Sequence, residues 1–362
     1  MNKIDKRGAW HPREWGAIVP VKVGVVGYGT IGTRLAYGVS LQKDMELVGV
    51  ADVGPTLTVR SLKARGMPYK LYCMDPQGNA KLADAGIPVS GTAEELLKQV
   101  DIVLDAAPGG IGAKNKQLYA KYGVSAVFQG GEKGEIADVF FHGYANYEAG
   151  LGKKYLLLTS CNTTGLIRTV DCLDRAFGIE KIAITIIRRC ADPGDTHRGY
   201  VDLAKPDPVP SHQALDLMEI MPHVKATGLL VHVPITHGHI INVVATPKKP
   251  VSKEEIVREF NKHPRIQVVK MADGFTTNTS FFQFSRFTHR PAADMYEVGV
   301  YEECIGSIGN DIMYAIYIPQ EAVTVPETID AIRASLRMQT EQHDAVSMTN
   351  RHLGLEPKKP LC

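Results

Sequence analysis

The fold is decided by one short stretch, Gly27-Tyr28-Gly29-Thr30-Ile31-Gly32, which lies between an apolar run and a helical pattern. The run before it, Val21–Val26, has the composition of a buried strand, and Ile31–Gln42 has helical spacing. Glycines at these positions allow a tight turn and let the backbone approach a pyrophosphate, whose charge is stabilised at the helix N-terminus. The stretch therefore predicts a turn that binds a dinucleotide.

Asp52 strengthens this prediction, because an acidic residue is expected about 20 positions after the last glycine. It ends the next predicted strand, Glu46–Ala51, where a carboxylate accepts hydrogen bonds from the adenosine ribose. The same charge repels a 2′-phosphate, so NAD is favoured over NADP as the cofactor. Arg60 or Lys63 offers a cation for that phosphate, which keeps NADP open. The alternative, glycines that only pack a helix on a strand, does not account for Asp52.

The rest of the first half alternates strands with helices. Strands are predicted at Ile102–Ala106, Ser125–Gln129 and Tyr155–Thr159, and a helix at Thr92–Gln99. Unbroken apolar strands in such alternation are typical of a parallel sheet covered on both faces. We therefore predict an α/β fold with a Rossmann-type doubly wound parallel sheet over residues 21–160. It follows an N-terminal extension, 1–20, and is joined by a C-terminal helix at about 326–355.

The second half has longer β-branched and aromatic runs, several of them with short connections. This pattern is typical of a mixed or antiparallel sheet with helices on one face, and it predicts an α+β catalytic domain over 161–325. A capping box of Ser252 and Glu255 opens a helix that runs to about Lys262. The predicted strands are Ile182–Arg188, Leu229–Pro234, Ile240–Thr246, Ser280–Phe284, Glu297–Glu302 and Ile312–Ile318.

Cys161 lies in Ser160-Cys161-Asn162-Thr163-Thr164-Gly165, between a predicted strand and a helical pattern that reaches Gly178. The free N–H groups and positive dipole of a helix start stabilise a thiolate, so we expect a lowered pKa for this thiol. The same amides, with the Asn162 side chain, can hold the oxyanion that forms when a thiolate attacks a carbonyl. The Thr163 hydroxyl lies where an anion such as phosphate binds. The alternative is a small buried cysteine beside a capping threonine, and the dinucleotide domain before it favours catalysis.

The composition excludes several classes of protein. The net charge is +2 over 362 residues, and no RNP-like or RGG segment occurs, which argues against nucleic acid and anionic membranes as partners. No apolar run reaches the roughly 18–20 residues that span a bilayer, and the N-terminus lacks the apolar core of a secretory signal. The six cysteines form no CxxC pair. We therefore expect a cytoplasmic protein with free thiols and no metal.

A set of motifs in one order identifies a resemblance. Together they resemble the archaeal-type (type II) phosphorylating glyceraldehyde-3-phosphate dehydrogenase family, from about Val21 to Leu355. The motifs are Gly27–Gly32, Gln129-Gly130-Gly131-Glu132-Lys133, Ser160–Gly165, Arg188-Arg189 with Ala191-Asp192-Pro193, Pro210-Ser211-His212, and the closing Met338…Thr349-Asn350.

The resemblance implies a role for each matching position. Cys161 attacks an aldehyde to give a thiohemiacetal, a hydride passes to NAD or NADP, and inorganic phosphate cleaves the resulting thioester to an acyl phosphate. A histidine general base suits this chemistry near neutral pH, with His237 as first choice and His239 as second. A homotetramer is implied, with a dimer as the minimum. The implied dinucleotide contacts are Thr30, Ile31, Gly131, Arg189 and Gln320, and the substrate contacts are Ser160, Asn162, Thr163, Arg188, His212 and Gln213.

Several alternatives stay open at this point. His237-Gly238-His239 on a strand would have both rings on one face, which also fits a metal site, although no third ligand is identifiable. Arg188 and Arg189 can instead form surface or intersubunit ion pairs. Gln213 and Ala214 stand where the family often has histidine and glycine, which fits a related cysteine dehydrogenase acting on another short phospho- or semialdehyde. A catalytically silent, regulatory dinucleotide-binding protein is disfavoured by the intact cysteine, histidines and glycine motif.

Overall fold

The computed structural model describes residues 19–129, 131–189 and 204–357. Residues 1–18 of the predicted extension, Gly130 and the Ala191-Asp192-Pro193 motif lie outside these ranges. Internal contacts divide the chain into two units. The first unit runs to Leu158 and takes in Val325–Leu353, and the second spans Thr159–Thr324.

The described strands and helices follow in chain order. The strands are β1 Val21–Val26, β2 Met45–Asp52, β3 Leu71–Cys73, β4 Gly91–Thr92, β5 Ile102–Asp105, β6 Ser125–Phe128, β7 Val139–Phe141, β8 Tyr155–Leu158, β9 Ile179–Arg189, β10 Lys205–Pro206, β11 Lys225–Val233, β12 His239–Pro247, β13 Ile266–Val269, β14 Val298–Tyr301, β15 Gly306–Ile308 and β16 Asp311–Ile318. The helices are α1 Thr30–Ser40, α2 Leu57–Ala64, α3 Pro76–Asp84, α4 Ala93–Leu97, α5 Gly112–Tyr122, α6 Cys161–Phe177, α7 His212–Ile220, α8 Lys253–Lys262, α9 Asn278–Phe287, α10 Val325–Ser335 and α11 Gln342–Leu353.

The first unit is built on a parallel sheet of eight strands in the order β4-β3-β2-β1-β5-β6-β8-β7. Its central strands are apolar and buried on both faces, as the unbroken hydrophobic runs predict. The chain winds outward from β1 in one direction and then from β5 in the other. The carboxyl ends of β1 and β5 therefore form the switch point at which such sheets bind ligands. The predicted Rossmann-type sheet is confirmed.

The second unit is built on a mixed sheet in the order β10-β11-β9-β12-β16-β14-β13, with β15 paired to β16. Strands β9 and β11 are parallel, whereas β12 is antiparallel to both β9 and β16. The predicted mixed sheet is confirmed. Helix α7 supplies the crossover that a parallel β9–β11 pair requires, and the sequence analysis did not identify this helix.

One predicted strand, Ser280–Phe284, is wrong, because these residues lie in helix α9. The aromatic run has a strand-like composition, but Thr277 and Ser280 form a capping box that starts a helix. Phe281 is fully buried, and its ring stacks on Tyr317 with centroids 4.4 Å apart. Tertiary burial and the cap therefore override the β propensity of the run.

The single C-terminal helix predicted at 326–355 is also wrong, because the segment forms two helices, α10 and α11. Arg337 lies between them with a φ of 50°, a left-handed conformation that ends a helix. Arg333 on α10 is fully buried and donates to the Asp44 carboxylate at 2.7 Å and to Gln42 Oε1 at 2.9 Å. The segment is thus fixed to the first unit by a buried ion pair.

None of the described helices combines the length and apolarity that a membrane crossing requires.

Candidate active site

Cys161 is the first residue of helix α6 in the second unit. Ser160 is the N-cap, and its hydroxyl accepts a hydrogen bond from the Thr163 amide at 3.3 Å. The side chain of Cys161 is half-buried, and it is one of four free cysteines among the described residues. The strand-to-helix turn expected around this thiol is therefore present.

His239 is the histidine that lies beside the thiol. Its Nε2 is 3.8 Å from Cys161 Sγ, and the residue is only 1% exposed. The backbone N–H of Arg189 donates to Nδ1 at 3.1 Å. Burial, and then the charges of Arg189 and Arg188, hold the pKa of His239 well below its usual value. The ring is therefore neutral near pH 7, and its Nδ1 already accepts a hydrogen bond.

The charge balance at Cys161 differs from the one expected from the sequence. Burial raises the pKa of the thiol above its usual value. The positive charges of Arg188 and Arg189, and a hydrogen bond from the backbone N–H of Asn162, offset this rise only in part. The expected net lowering of the pKa is therefore wrong. A helix start alone does not compensate the desolvation of a buried thiolate. The thiolate thus depends on hydrogen bonds and on these two arginines.

His237 is oriented differently from His239. Gly238 between them has a φ of 68°, and strand β12 begins only at His239, so the expectation of two rings on one strand face is wrong. An added Cβ at Gly238 would lie 2.3 Å from the Tyr317 ring, so the turn requires glycine. The His237 ring stacks on Phe282 with centroids 4.3 Å apart.

A pocket of about 200 Å³ in the second unit contains His237 together with Arg189 and Gln320. The Arg189 side chain is 5% exposed, donates to the Thr236 carbonyl at 2.9 Å and lies 3.5 Å from a Glu321 oxygen. The pocket thus brings together two of the residues expected to contact the dinucleotide. His237 thus lines this pocket, whereas the contact with Cys161 is made by His239.

The expected substrate residues form a polar cluster at the start of α6. Ser160 and Thr163 hydroxyls are 2.9 Å apart, and the Thr163 hydroxyl donates to Asp216 Oδ2 at 3.0 Å. Asn162 is 2% exposed, and its Oδ1 has no hydrogen-bond partner among the described residues. Asp216 was missed by the sequence analysis, because an aspartate within a helix belongs to none of the motifs.

His212 and Gln213 begin helix α7. Gln213 is 1% exposed, and its Nε2 lies 2.7 Å from His212 Nε2. Burial and the charge of Arg188 lower the pKa of His212. Arg188 therefore acts on both His212 and Cys161, which makes it the positive charge common to the two groups.

The glycine turn in the first unit has the features of a dinucleotide site. Gly29 is the N-cap of α1, no side chain caps this helix, and Thr30 and Ile31 open it. An added Cβ at Gly29 would meet no neighbouring atom within 4 Å, whereas one at Gly32 would lie 1.8 Å from the Gly27 carbonyl oxygen. Gly32 is therefore required by the turn itself, and the space at Gly29 fits the backbone approach of a pyrophosphate.

Asp52 lies at the end of β2, 7% exposed. Its two oxygens accept hydrogen bonds from the Tyr28 amide at 2.8 Å and the Val53 amide at 2.7 Å. Gly131 is exposed beside a carboxylate that the sequence analysis did not assign, Glu132, which accepts from the amides of Gly110 and Gly112. Asp52 thus holds the glycine turn after β1, and Glu132 holds the loop that leads into α5.

Within the described ranges, no group of three or more histidine, cysteine, aspartate or glutamate side chains is arranged to hold a metal ion.

Comparison with known proteins identifies the family. A family model described as the C-terminal domain of glyceraldehyde 3-phosphate dehydrogenase matches residues 160–288. Glyceraldehyde-3-phosphate dehydrogenase of Thermococcus sibiricus is 41% identical over 336 residues, which cover 92% of this chain and 99% of the relative. The enzymes of that name from Pyrococcus furiosus and Methanobacterium bryantii are 40% and 39% identical with the same coverage. Identity at this level over nearly the whole of both chains confirms the resemblance seen in the motifs, and the chain belongs to the glyceraldehyde-3-phosphate dehydrogenase family.

Proposed function

We propose that this protein oxidises glyceraldehyde 3-phosphate, with a nicotinamide dinucleotide and inorganic phosphate, to 1,3-bisphosphoglycerate. The observation that carries the proposal is the contact between Cys161 Sγ and His239 Nε2, 3.8 Å, at the start of α6. Relatives that share 40% of their residues with this chain bear the name of that dehydrogenase. A thiol beside a buried histidine and two arginines is suited to covalent attack on an aldehyde.

Cys161 is proposed as the nucleophile and His239, rather than His237, as its partner. Because the Arg189 amide donates to Nδ1, the neutral His239 ring carries its proton on Nε2, which faces the sulfur. Cys161 loses its proton to solvent, and its thiolate attacks the aldehyde carbon so that the thiohemiacetal forms as the alkoxide. In this tautomer Nε2–H donates a hydrogen bond to the thiolate and then to that alkoxide, from which loss of hydride gives the thioester without a further proton transfer. The resemblance implies a general base at this position, and the Arg189 contact favours a hydrogen-bond donor instead.

The reaction then needs a hydride acceptor and a second nucleophile. A bound nicotinamide supplies the hydride acceptor. Once the hydride has left the thiohemiacetal carbon, Cys161 holds the acyl group as a thioester. An oxygen of inorganic phosphate attacks this carbonyl, the C–S bond breaks, and the thiolate is restored with an acyl phosphate as product. Asn162 is proposed to stabilise the oxyanion in both steps.

Anion binding is assigned to the start of α6 and its neighbours. We propose that Ser160, Thr163 and Arg188 bind phosphate oxygens, because hydroxyls and a guanidinium donate to them beside the positive end of a helix dipole. His212 and Gln213 are proposed to contact the substrate from helix α7. The effect of Arg188 on the pKa of both His212 and Cys161 supports one connected site.

The dinucleotide is proposed to bind through Gly27, Gly29, Thr30, Ile31, Gly32 and Asp52, with Gly131, Arg189 and Gln320 as further contacts. NAD is favoured over NADP, because the Asp52 carboxylate lies where a 2′-phosphate would be repelled. Two nearby cations are already hydrogen-bonded to backbone carbonyls, Arg60 to Pro55 and Lys63 to Ala85. If NADP proves to be preferred, this assignment of Asp52 is wrong.

We also propose that the enzyme acts in the cytoplasm as a homo-oligomer, a tetramer or at least a dimer. Light scattering on the purified chain measures the assembly directly, and a monomer would contradict it.

One kinetic experiment tests the activity. Purified protein is given glyceraldehyde 3-phosphate with NAD or NADP, with and without inorganic phosphate, and acyl phosphate is trapped with hydroxylamine. We expect reduced cofactor and acyl phosphate in equal amounts, and neither from Cys161→Ser. Cofactor reduction that does not require phosphate would contradict the phosphorylating reaction.

A second candidate is the same chemistry on another short phospho- or semialdehyde. It is favoured by Gln213, whose Oε1 is buried without a hydrogen-bond partner among the described residues and so offers an unused acceptor beside His212. A panel of short aldehydes in the same assay separates the two, because the preferred substrate has the highest kcat/KM.

A further inference from the structure

Asp216 is a charged group that contacts the proposed anion site and lies outside all of the motifs. It lies on helix α7, 53 positions from Thr163 in sequence, and accepts the Thr163 hydroxyl proton at 3.0 Å. Thr163 is fully buried. An ionised carboxylate beside a phosphate site repels the anion and weakens its binding. The charge of Asp216 and its hydrogen bond therefore need an explanation.

The explanation lies in the direction of the hydrogen bonds that join Ser160, Thr163 and Asp216. A hydroxyl has one proton to donate. While Asp216 is ionised it can only accept, so Thr163 donates to Asp216, and Ser160 is left to donate to Thr163 at 2.9 Å. Both hydroxyl protons are then used inside the chain. Ser160 and Thr163 present only lone pairs to an anion.

A protonated Asp216 reverses this order. Its O–H donates to Thr163 Oγ1, and the Thr163 proton turns to Ser160. The Ser160 proton is then released and can be donated to an anionic oxygen. The one bond formed is the O–H of Asp216, whose proton comes from solvent, and the two hydroxyl groups only change the direction of their hydrogen bonds.

We propose that Asp216 is a positioning residue that couples anion binding at Ser160 and Thr163 to the uptake of one proton. The inference rests on the proposed function, which assigns these two hydroxyls to the phosphate of the substrate or to inorganic phosphate. The same hydrogen bonds would be made to the phosphate group of the substrate and to inorganic phosphate, so the proposal applies equally to both.

The surroundings of Asp216 make this titration accessible. Burial raises the pKa of Asp216, the hydrogen bond from Thr163 opposes this, and the charge of Glu219 on the same helix adds to it, which together bring the pKa to about 6. Helix α7 packs against α6 and β11. The titratable residues of those two elements are not among the groups that shift the pKa of Asp216; they are Cys161, Arg168, Asp171, Cys172, Asp174 and Arg175 on α6, and Lys225 and His232 on β11.

The size of the effect follows from the fraction of Asp216 that is protonated. With a pKa of about 6, that fraction is about 0.9 at pH 5 and about 0.1 at pH 7. If only the protonated form binds the anion, the dissociation constant rises about tenfold over this range. Binding strengthens as the pH falls, because the anion favours the protonated form.

The test is calorimetric titration of the full-length protein with sulfate, whose charge is constant over this range. Titrations at pH 7 in two buffers of different ionisation enthalpy give the number of protons taken up. We expect about 0.9 proton per sulfate for the wild-type protein, and at least a threefold smaller number for Asp216→Asn, which cannot titrate. In Glu219→Gln the tenfold change in the dissociation constant for sulfate should occur at lower pH, because a charge that raises the pKa of Asp216 is removed.

Three outcomes would overturn the proposal. They are equal proton uptake in wild type and Asp216→Asn, a pH dependence unchanged in Glu219→Gln, and no sulfate binding by a protein that oxidises glyceraldehyde 3-phosphate. Loss of that activity with proton-coupled sulfate binding intact would instead contradict the proposed function alone. Glu219→Gln and the wild-type protein keep the test decisive if Asp216→Asn fails to fold.

Discussion

Replacing Gly29 by alanine separates dinucleotide binding from folding, because the neighbouring Gly32 provides a matched control. The added Cβ at Gly29 meets no protein atom within 4 Å, and its φ of −85° and ψ of −156° suit an alanine. Alanine is a poorer N-cap than glycine, so we expect a loss of about 0.5–1 kcal/mol of stability. At Gly32 the Cβ would lie 1.8 Å from the Gly27 oxygen, and the turn must open. Overpacking of this kind costs about 3 kcal/mol.

The effect of Gly29→Ala on dinucleotide binding should be larger than its effect on stability. A methyl group at Gly29 occupies the approach of the pyrophosphate and removes at least one hydrogen bond to the first amides of α1. A hydrogen bond to a charged group is worth about 1.5–3 kcal/mol, and about 1.4 kcal/mol is tenfold in affinity. We expect fluorescence titration to show that NADH binds at least about tenfold more weakly to Gly29→Ala, while the free energy of unfolding in urea falls by only about 0.5–1 kcal/mol. Wild-type affinity in Gly29→Ala would refute the assignment of this turn to the dinucleotide.

Three further predictions test the second unit and the core. His239→Gln keeps an N–H donor but cannot take up a proton, so in steady-state assays it should be at least about tenfold more active than His239→Ala; equal losses would contradict the donor role. Arg188→Met removes a charge that lowers the pKa of Cys161, so the pH midpoint of iodoacetamide alkylation should rise, and Arg188→Lys should stay near the wild-type value. Arg333→Met leaves the buried Asp44 without its partner at 2.7 Å and should cost about 3–5 kcal/mol in urea unfolding. The exposed Arg351→Met is its control, with a change within about 0.5 kcal/mol, and similar values for the two would show that the buried pair is dispensable.

The first unit could be predicted well from the sequence because its signals are local. Val21–Val26 is a continuous apolar run followed at once by glycines and a helical pattern, and the structure has β1 and α1 there. Helix α9 shows the limit of such reasoning, since Ser280–Phe284 has the composition of a strand but forms a helix. That outcome depends on the burial of Phe281 against Tyr317, which no local pattern records.

The residues of the candidate site divide in the same way, into those with a local sequence signal and those placed by contacts distant in sequence. Cys161 was found from the adjacent strand and helix patterns, which are neighbours in the chain. The resemblance makes His237 the first choice, whereas the contact with Cys161 is made by His239, because that contact depends on the left-handed Gly238 and on pairing across the sheet. Asp216 reaches Thr163 from a different helix, and a contact between residues 53 positions apart leaves no trace in either segment.

The position of His239 is a consequence of strand register. Strand β12 pairs antiparallel with β9, where Ile240 lies opposite Ile187, so that His239 meets the end of β9. The Arg189 amide at that end donates to Nδ1, and the same residue's guanidinium donates to the Thr236 carbonyl in the turn before β12. A slip of one residue would turn His239 to the other face of the sheet, and both contacts would be lost. Arg189 therefore holds both the His239 ring and the turn that precedes it, which explains how a buried, uncharged ring is held at 3.8 Å from the thiol it is proposed to serve.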